Sequence, residues 1–450
     1  MTKPLYRLAE RAALIVSCAI VLLPMTAYAQ SNASKTCGEF TIAVIPDTQN
    51  YLDYRDQKAA GFPLDAVNLF YDQMRYIAAH ATSAGGDIQF AVALGDVKQH
   101  FSLWMDPEHV ARGFRAVPNE PTSEVAAGPR EKEVRTIEMP YALEGYRLIK
   151  GKLPFSVVPG NHDYDALWTD PRLAPELVQN RMTYGRREVG GLSTFQFAFS
   201  DKSEFFKGEP WYVSSHDGGA DNAQLFTAGG CRFLNIGLQF TAPNSSLEWA
   251  AGVIKRYPGV PTLISIHGYL DHTGTRLSNS GNKVDPLTND PQMVWEKFIS
   301  QNDQIFMVLS GHACGQAYRV DANRFGHDVH QLLSDYQCRG QVAKDAGVDL
   351  REGPGANWLH PSGLGDGWMR MMTFSFDGNE PAVHVRTFST YYKMFSTEVK
   401  AYASWYKKDD EQSLLSDDEF VKRDDFIFVL KDYYKRFHAT EKPAAHKEGS

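Results

Sequence analysis

The chain has 450 residues, of which 43% are hydrophobic and 22% charged, and its formal net charge at pH 7 is −8. This is ordinary globular composition with room for a sizeable core. The negative sign argues against binding of a nucleic-acid backbone through bulk charge, although a local metal site would still attract anions.

The N-terminus has the three parts of a secretory signal peptide. A basic stretch precedes the apolar run AALIVSCAIVLLP, and the small-x-small triplet AYA follows at 27–29. We predict a signal peptide over residues 1–29, cleaved near Ala29-Gln30, and hence a periplasmic or extracellular protein without a membrane span. A lipid anchor at Cys18 is the alternative. Cleavage changes the formal charge from −8 to −10, because it removes three basic residues and one acidic residue.

Five short apolar runs end at polar turns and are predicted to be buried strands. They are FTIAVI before Pro46-Asp47, IQFAVAL before Gly95-Asp96, LPFSVV before Pro159-Gly160-Asn161-His162-Asp163, PTLISI before His267-Gly268, and QIFMVL before Ser310-Gly311-His312. Helix-like stretches such as 69–81 and 247–257 lie between them. This alternation predicts an α/β fold whose ligands gather at the carboxyl ends of the strands.

The rest of the chain is less regular. Residues 101–150 are rich in Pro, Glu and Gly, which predicts a surface insertion, either a long loop or a lid. Short strands such as STFQFAF are predicted in 190–245, and WMRMMTFSF with PAVHVRTFST predicts a terminal hairpin. We therefore predict one domain over residues 30–395, with the insertion at about 101–150. A C-terminal extension, 396–450, is predicted to pack on it.

The polar turns resemble the pattern of the calcineurin-like metallophosphoesterases. That family has Asp-x-His, Gly-Asp, Gly-Asn-His-Asp, an isolated His and Gly-His-x-His, in this order. The chain has DTQ at 47–49, GD at 95–96, GNHD at 160–163, His267 and GHAC at 311–314. The likeness covers about residues 40 to 315. A wider series of motifs resembles an exported bacterial branch of the family, namely PDTQNY, GNHD, HGYLD, SGH, LLSDYQ and GDGWMR. It implies a two-sheet β-sandwich flanked by helices, with a binuclear metal site at the strand ends.

The resemblance implies that two divalent metal ions are held, and that Asp96 bridges them. A second pocket would use Asp96, Asn161, His267 and His312, and all four positions are intact. The identity of the metals is open among Mn, Mg, Ca, Fe and Zn.

The first pocket departs from the family. It would use Asp47, Asp96 and the residues at 49 and 314, where Gln49 and Cys314 replace histidines. Without imidazole this site is expected to be weaker and to suit Mg, Mn or Ca better than Zn or Fe. Fewer than two tightly bound ions are then expected after dialysis. Asp335, Tyr336 and Gln337 are further candidates to reach the site from the next strand.

The resemblance gives the acid–base role to His162 and Asp163. Protonated His162 would protonate the leaving oxygen, and Asp163 would orient the imidazole and raise its pKa. The expected function is an exported metal-dependent phosphoesterase that hydrolyses a phosphomonoester or phosphodiester by in-line attack of metal-bound hydroxide. Its substrate would be a small phosphoester, with nucleotides among the candidates. The alternative is a catalytically weakened binding protein on the same fold.

Four cysteines remain after cleavage, namely Cys37, Cys231, Cys314 and Cys338. An even number in an oxidising compartment predicts disulfides, and three connectivities are possible. We favour 314–338 with 37–231, because a short separation and adjacent strands make the first bond feasible. The sequence alone does not choose. If Cys314 is oxidised, it offers no thiolate to a metal.

Overall fold

A computed structural model describes residues 37–53, 57–58, 62–102, 111, 115–116, 131–170, 176–178, 181–183, 186–277, 288–348 and 363–437. The predicted signal peptide, residues 1–29, lies outside this part of the chain, as does much of the predicted insertion. Among the described residues, no helix is both long enough and apolar enough to cross a bilayer.

The strands of the described residues are numbered β1 to β19 in chain order. They are β1 Phe40–Ile45, β2 Ile88–Ala93, β3 Arg115–Ala116, β4 Phe155–Val157, β5 Ala166–Asp170, β6 Glu176–Val178, β7 Arg181–Thr183, β8 Arg186–Gly190, β9 Tyr212–His216, β10 Asp221–Ala228, β11 Cys231–Leu238, β12 Thr262–Gly268, β13 Ile305–Gly311, β14 Gly315–Ala322, β15 Asp328–Asp335, β16 Trp368–Ser375, β17 Ala382–Ser389, β18 Met394–Phe395 and β19 Asp425–Val429.

Helices lie between the strands, and several are short. They are Gln49–Leu52, Val67–Ala79, Glu131–Glu133 continuing through Val134–Glu138 into Met139–Ile149, Ser193–Phe199, Asn244–Arg256, Pro291–Val294 continuing into Trp295–Ile299, Gln341–Asp345, Tyr402–Tyr406, Asp417–Lys422 and Tyr433–Arg436. Single helical turns occur at Thr82–Ala84, Asn161–Asp163, Asp217–Gly219 and Ser396–Glu398.

Two seven-stranded mixed sheets form the centre of the fold. The first has the order β18-β17-β16-β1-β2-β4, with β19 paired to β17, and the second has the order β14-β15-β13-β12-β11-β10-β9. Strands β1, β2 and β4 run parallel in the first sheet, and β11, β12, β13 and β15 run parallel in the second. This topology confirms the predicted α/β fold with a two-sheet sandwich.

Apolar side chains alternate between the two faces of each sheet. Ile42 and Val44 of β1 pack in a cluster with Phe233 and Leu263 of the second sheet, so this layer joins the sheets. The next residues along β1, Ala43 and Ile45, pack instead with the helices Val67–Ala79 and Met139–Ile149. A third cluster packs the helix Asn244–Arg256 on the second sheet. Each fully buried aliphatic side chain contributes roughly 1.5–3 kcal/mol to this packing.

Two sequence predictions fail in this packing. The C-terminal part of the predicted insertion is core rather than surface, because Met139, Ala142, Tyr146 and Ile149 form a buried stripe at helical spacing. The segment STFQFAF, predicted as a strand, is the helix Ser193–Phe199. In both segments, the packing surface supplied by distant elements decides the structure.

The C-terminal elements pair with the first sheet. Strands β16 and β17 form the predicted antiparallel hairpin, and β19 adds to β17. Tyr402, Tyr406 and Phe420 form a buried aromatic cluster with Tyr336 and Trp368. The described part of the extension therefore packs on the sandwich, while the domain boundaries at 395 and 396 stay a prediction.

Two disulfides close the fold, and their pairing is the favoured one. Cys37 and Cys231 are bonded with their Cα atoms 5.4 Å apart, which ties the start of β1 to the start of β11. Cys314 and Cys338 are bonded with their Cα atoms 5.8 Å apart, which joins the loops that follow β13 and β15. Both bonds are compatible with an oxidising, exported location.

Candidate metal centre

Six strand ends bring polar side chains to one edge of the sandwich. Because carboxyl ends of neighbouring parallel strands share an edge, β1, β2 and β4 deliver their turns to the same side, as do β12, β13 and β15. The residues delivered are Asp47 and Gln49 after β1, Asp96 after β2, Asn161 and His162 after β4, His267 in β12, His312 after β13 and Asp335 at the end of β15.

The turns approach each other closely, and two glycines make this possible. A Cβ atom on Gly160 would lie 2.1 Å from Asp96 Oδ1, and one on Gly311 would lie 2.1 Å from Asp47 Oδ1. Asp96 and His312 have φ values of 48° and 73°, in the left-handed region that non-glycine residues rarely adopt. Such backbone conformations are costly and persist where the surrounding structure imposes them, often at functional sites.

The side chains predicted for the second pocket lie close together. Asp96, His267 and His312 each offer a ligand atom, and these atoms lie within 4.8 Å of one another. His267 Nε2 lies 3.1 Å from Asn161 Oδ1, 3.2 Å from His312 Nδ1 and 3.3 Å from Asp96 Oδ1. The other ring nitrogen of His267, Nδ1, donates to the Leu94 carbonyl at 2.8 Å, and this bond directs Nε2 into the pocket.

The buried carboxylates of this pocket favour a positive charge beside them. Burial lowers the pKa of His267, but Asp96 and Asp47 outweigh it and raise that pKa to about 10. Burial and the charge of His267 lower the pKa of His312 to about 3. Burial would raise the pKa of Asp96, yet His267 and His162 hold it below its usual range. A divalent cation would supply the charge that a proton on His267 supplies here.

The first pocket has a different composition, and two further residues line it. Gln49 Nε2 donates to Asp96 Oδ2 at 3.1 Å and also to Gln337 Oε1. Gln337 Nε2 donates to Asp47 Oδ2 at 3.2 Å and to Asp335 Oδ2 at 2.8 Å. Asp335 and Gln337 were only candidates in the sequence, and the structure places both against Asp47.

Several carboxylates share this buried space. Burial and the neighbouring Asp335 raise the pKa of Asp47 well above its usual range. Burial raises the pKa of Asp335 to about 6, even though hydrogen bonds from Gln337 act in the opposite direction. Cys314 is part of a disulfide and is not available as a ligand. The donors present, all oxygens, fit a hard divalent cation.

His162 lies beside the second pocket, but its imidazole is oriented by a group that the sequence did not indicate. Its Nδ1 lies 2.7 Å from the Gln99 carbonyl, and its Nε2 lies 4.0 Å from Asp96 Oδ2. The Asp163 carboxylate instead accepts from the backbone N–H groups of Gly160 at 2.8 Å and Val97 at 3.0 Å. The predicted pairing of Asp163 with the imidazole is therefore wrong. Asp163 ties together the turns that carry Asp96 and Asn161.

Lys98 is a buried cation near the site that the sequence analysis missed. Its Nζ donates to the carbonyls of His100 at 2.9 Å, His162 at 2.5 Å and Tyr164 at 3.2 Å. These three hydrogen bonds hold the backbone that follows Asp96 against the backbone around His162. A lysine two residues after a Gly-Asp turn gives no sequence signal for this role, because two of its three partners, the carbonyls of His162 and Tyr164, belong to a distant segment.

The chain is similar in part to proteins that are already known. No family model matches the chain. The chain is similar to the uncharacterized protein YvnB of Bacillus subtilis (strain 168), with 24% identity over 252 residues, which are 55% of this chain and 15% of that protein. It is also similar to the crystal structure of a dimetal phosphatase from Danio rerio, with a TM-score of 0.37 and 11% identity, over 78% of this chain and 96% of that one. A TM-score this low carries no inference about activity.

The chain's own residues therefore carry the assignment. Its strand-end motifs occur in the family order, they converge on one edge of the sandwich, and the ligands of the second pocket are in contact. In its two-sheet fold and in the pattern of its site, the chain resembles the calcineurin-like metallophosphoesterases.

Proposed function

We propose that the chain is an exported metal-dependent phosphoesterase that hydrolyses a small phosphomonoester or phosphodiester. The observation that supports this most is the contact of Asp96, His267 and His312, with Asn161 Oδ1 at the same point. These residues come from four strand ends far apart in sequence, and structural packing alone does not require a buried and a half-buried imidazole beside a buried carboxylate.

The residues have distinct tasks in this proposal. Bound divalent cations would neutralise phosphoryl oxygens and lower the pKa of a water molecule. Asp96, with one oxygen near each pocket, holds both pockets in register. Asn161 offers an oxygen without adding negative charge, so the centre stays electropositive toward an anionic substrate although the chain is acidic overall.

His162 is proposed to carry the proton that the leaving oxygen needs. The hydrogen bond from Nδ1 to the Gln99 carbonyl leaves Nε2 on the side of Asp96, where a substrate held at the centre would be. The ring of Phe101 lies nearly parallel to the imidazole, with the ring centroids 6.0 Å apart. Gln99 is thus a positioning residue through its carbonyl, and His162 is the proposed acid.

The binding protein remains a second candidate for one reason. The first pocket lacks both imidazoles that the family has at 49 and 314, and a pocket weakened in this way is compatible with cation binding without turnover. A binding protein of this kind would, however, need no general acid. The presence of His162 in a formed position favours the enzyme.

A substrate panel separates the two candidates. The mature chain is stripped with chelator, reloaded with Mn²⁺, and tested on aryl phosphate monoesters, aryl phosphate diesters and nucleotides. We expect turnover that disappears on chelation and returns with Mn²⁺. A chain that binds metal and hydrolyses nothing on the panel would contradict the phosphoesterase and favour the binding protein.

A further inference from the structure

The first pocket contains more oxygen ligands than the family pattern supplies. Asp335 ends β15, which lies next to β13 in the second sheet, and Gln337 follows two residues later. The side-chain amide of Gln337 donates to both Asp47 and Asp335, and so links these two carboxylates across the edge between the sheets. Asp335 is fully buried, as are Asp96 and Gln49 to within 1%.

One atom in this cluster lacks a hydrogen bond. Gln49 is 0% exposed, and its Oε1 has no hydrogen-bond partner among the described residues. A buried amide oxygen without a donor costs about 1–3 kcal/mol. A cation among the surrounding carboxylates would satisfy this oxygen.

The Gln337 amide lies where positive charge is needed. Its N–H groups point at Asp47 and Asp335, so a neutral amide separates two carboxylates that would otherwise repel each other. Half a turn of the terminal amide would exchange Nε2 and Oε1, so that Oε1 would face a cation bound between the two carboxylates.

The position of Gln337 is fixed from both sides. Its backbone N–H donates to Asp335 Oδ1 at 3.0 Å, and its carbonyl accepts from Asn50 Nδ2 at 3.2 Å. The next residue, Cys338, is bonded to Cys314 two residues after His312. The disulfide thus holds the loop of the first pocket against the loop of the second, at the position where the family would have a histidine ligand.

We propose that Asp335 and Gln337 replace the two missing histidines as ligands of the first metal. With Asp47, Gln49 and Asp96 they form an oxygen-only pocket for a hard divalent cation such as Mg²⁺, Mn²⁺ or Ca²⁺. The inference rests on the proposed function in that both assume a binuclear centre. Because imidazole favours softer ions and Ca²⁺ prefers oxygen, the two pockets differ in selectivity.

Calorimetric titration of the full mature chain, stripped of metal, tests this inference without any substrate. We expect two Mn²⁺ binding events, one tighter and one weaker, and competition by Ca²⁺ for the weaker event only. Asp335→Asn and Gln337→Ala should each weaken the weaker event by about 10–100-fold and leave the tighter one unchanged.

The matched control is Asp366→Asn. Asp366 is an equally buried carboxylate that accepts from the backbone of Gln341 and Val342 and from the Tyr406 hydroxyl, so its loss should leave both events intact. Circular dichroism reports whether each variant is folded. If Asp335→Asn does not fold, Gln337→Ala and the Ca²⁺ competition on the unaltered chain decide.

The outcomes separate this inference from the proposed function. Two Mn²⁺ events that are unchanged in Asp335→Asn and Gln337→Ala, or a weaker event insensitive to Ca²⁺, would overturn the oxygen-only pocket even in an active enzyme. A chain that binds as expected but hydrolyses no phosphoester would contradict the proposed function alone.

Discussion

Replacing His312 by alanine is expected to reduce phosphoester hydrolysis at least about a thousandfold, which corresponds to about 4 kcal/mol of transition-state stabilisation. The reason is that its imidazole is one of two nitrogen ligands proposed for the second pocket, and His267 alone would face Asp96 and Asn161. The tighter Mn²⁺ event in the calorimetric titration should be lost together with activity.

His330→Ala is the matched control for this change. His330 is another buried histidine of the same sheet, bonded to the Tyr318 hydroxyl at 2.7 Å. It lies five residues before Asp335 on β15, roughly 17 Å from the site at strand spacing. The His330→Ala variant should keep both Mn²⁺ binding events and the turnover of the unaltered chain. A His312→Ala variant that keeps the tight ion and its turnover would refute the second pocket.

Replacing His162 by glutamine is expected to reduce turnover by about 10²–10⁴-fold for substrates with a poor leaving group. A general acid matters most when the leaving oxygen is basic, so an alkyl phosphate should lose most of its rate. An aryl phosphate with an acidic phenol should lose little, because its leaving oxygen departs without a proton.

The measurement is kcat on a series of phosphate esters whose leaving groups differ in pKa, with the metal content determined for each preparation. A loss of equal size across the series would show that His162 only positions other groups. Unchanged metal content is required for either reading, since His162 touches Asp96 through its backbone N–H at 2.9 Å.

Much of the fold could be predicted because the strands carry local signals. The apolar runs before Asp47, Asp96 and His312 are β1, β2 and β13, and each ends at the turn that the sequence indicated. Four candidate ligands of the second pocket could be named for the same reason, because each lies next to a glycine at a strand end: Asp96, Asn161, His267 and His312.

The failures have two physical causes, a distant hydrogen-bond partner in one case and a local helical period hidden by polar composition in the other. The carboxylate of Asp163 pairs with the backbone of Val97, 66 residues away, rather than with the adjacent His162. The polar residues upstream of Met139–Ile149 led to the prediction of a surface insertion there, although the buried residues of this helix have helical spacing. Local composition therefore outweighed the periodicity that proved correct.

The first pocket could be predicted only in part. The loss of histidine at 49 and 314 is visible in the sequence, and Asp335 and Gln337 are candidates there, but the contact of Gln337 with Gln49 is not visible. It depends on β15 lying beside β13 in the sheet and on the Cys314–Cys338 bond, which together bring Gln337 to Gln49 over 288 residues of sequence. No spacing rule contains that contact.

Diffraction from crystals soaked in Mn²⁺ shows directly whether two metal ions bind at the centre. Anomalous scattering should show two peaks about 3.5–4 Å apart on either side of Asp96. One should lie among Asn161, His267 and His312, and the other among the oxygens of Asp47, Gln49 and Asp335. A single peak, or two peaks away from Asp96, would contradict the account.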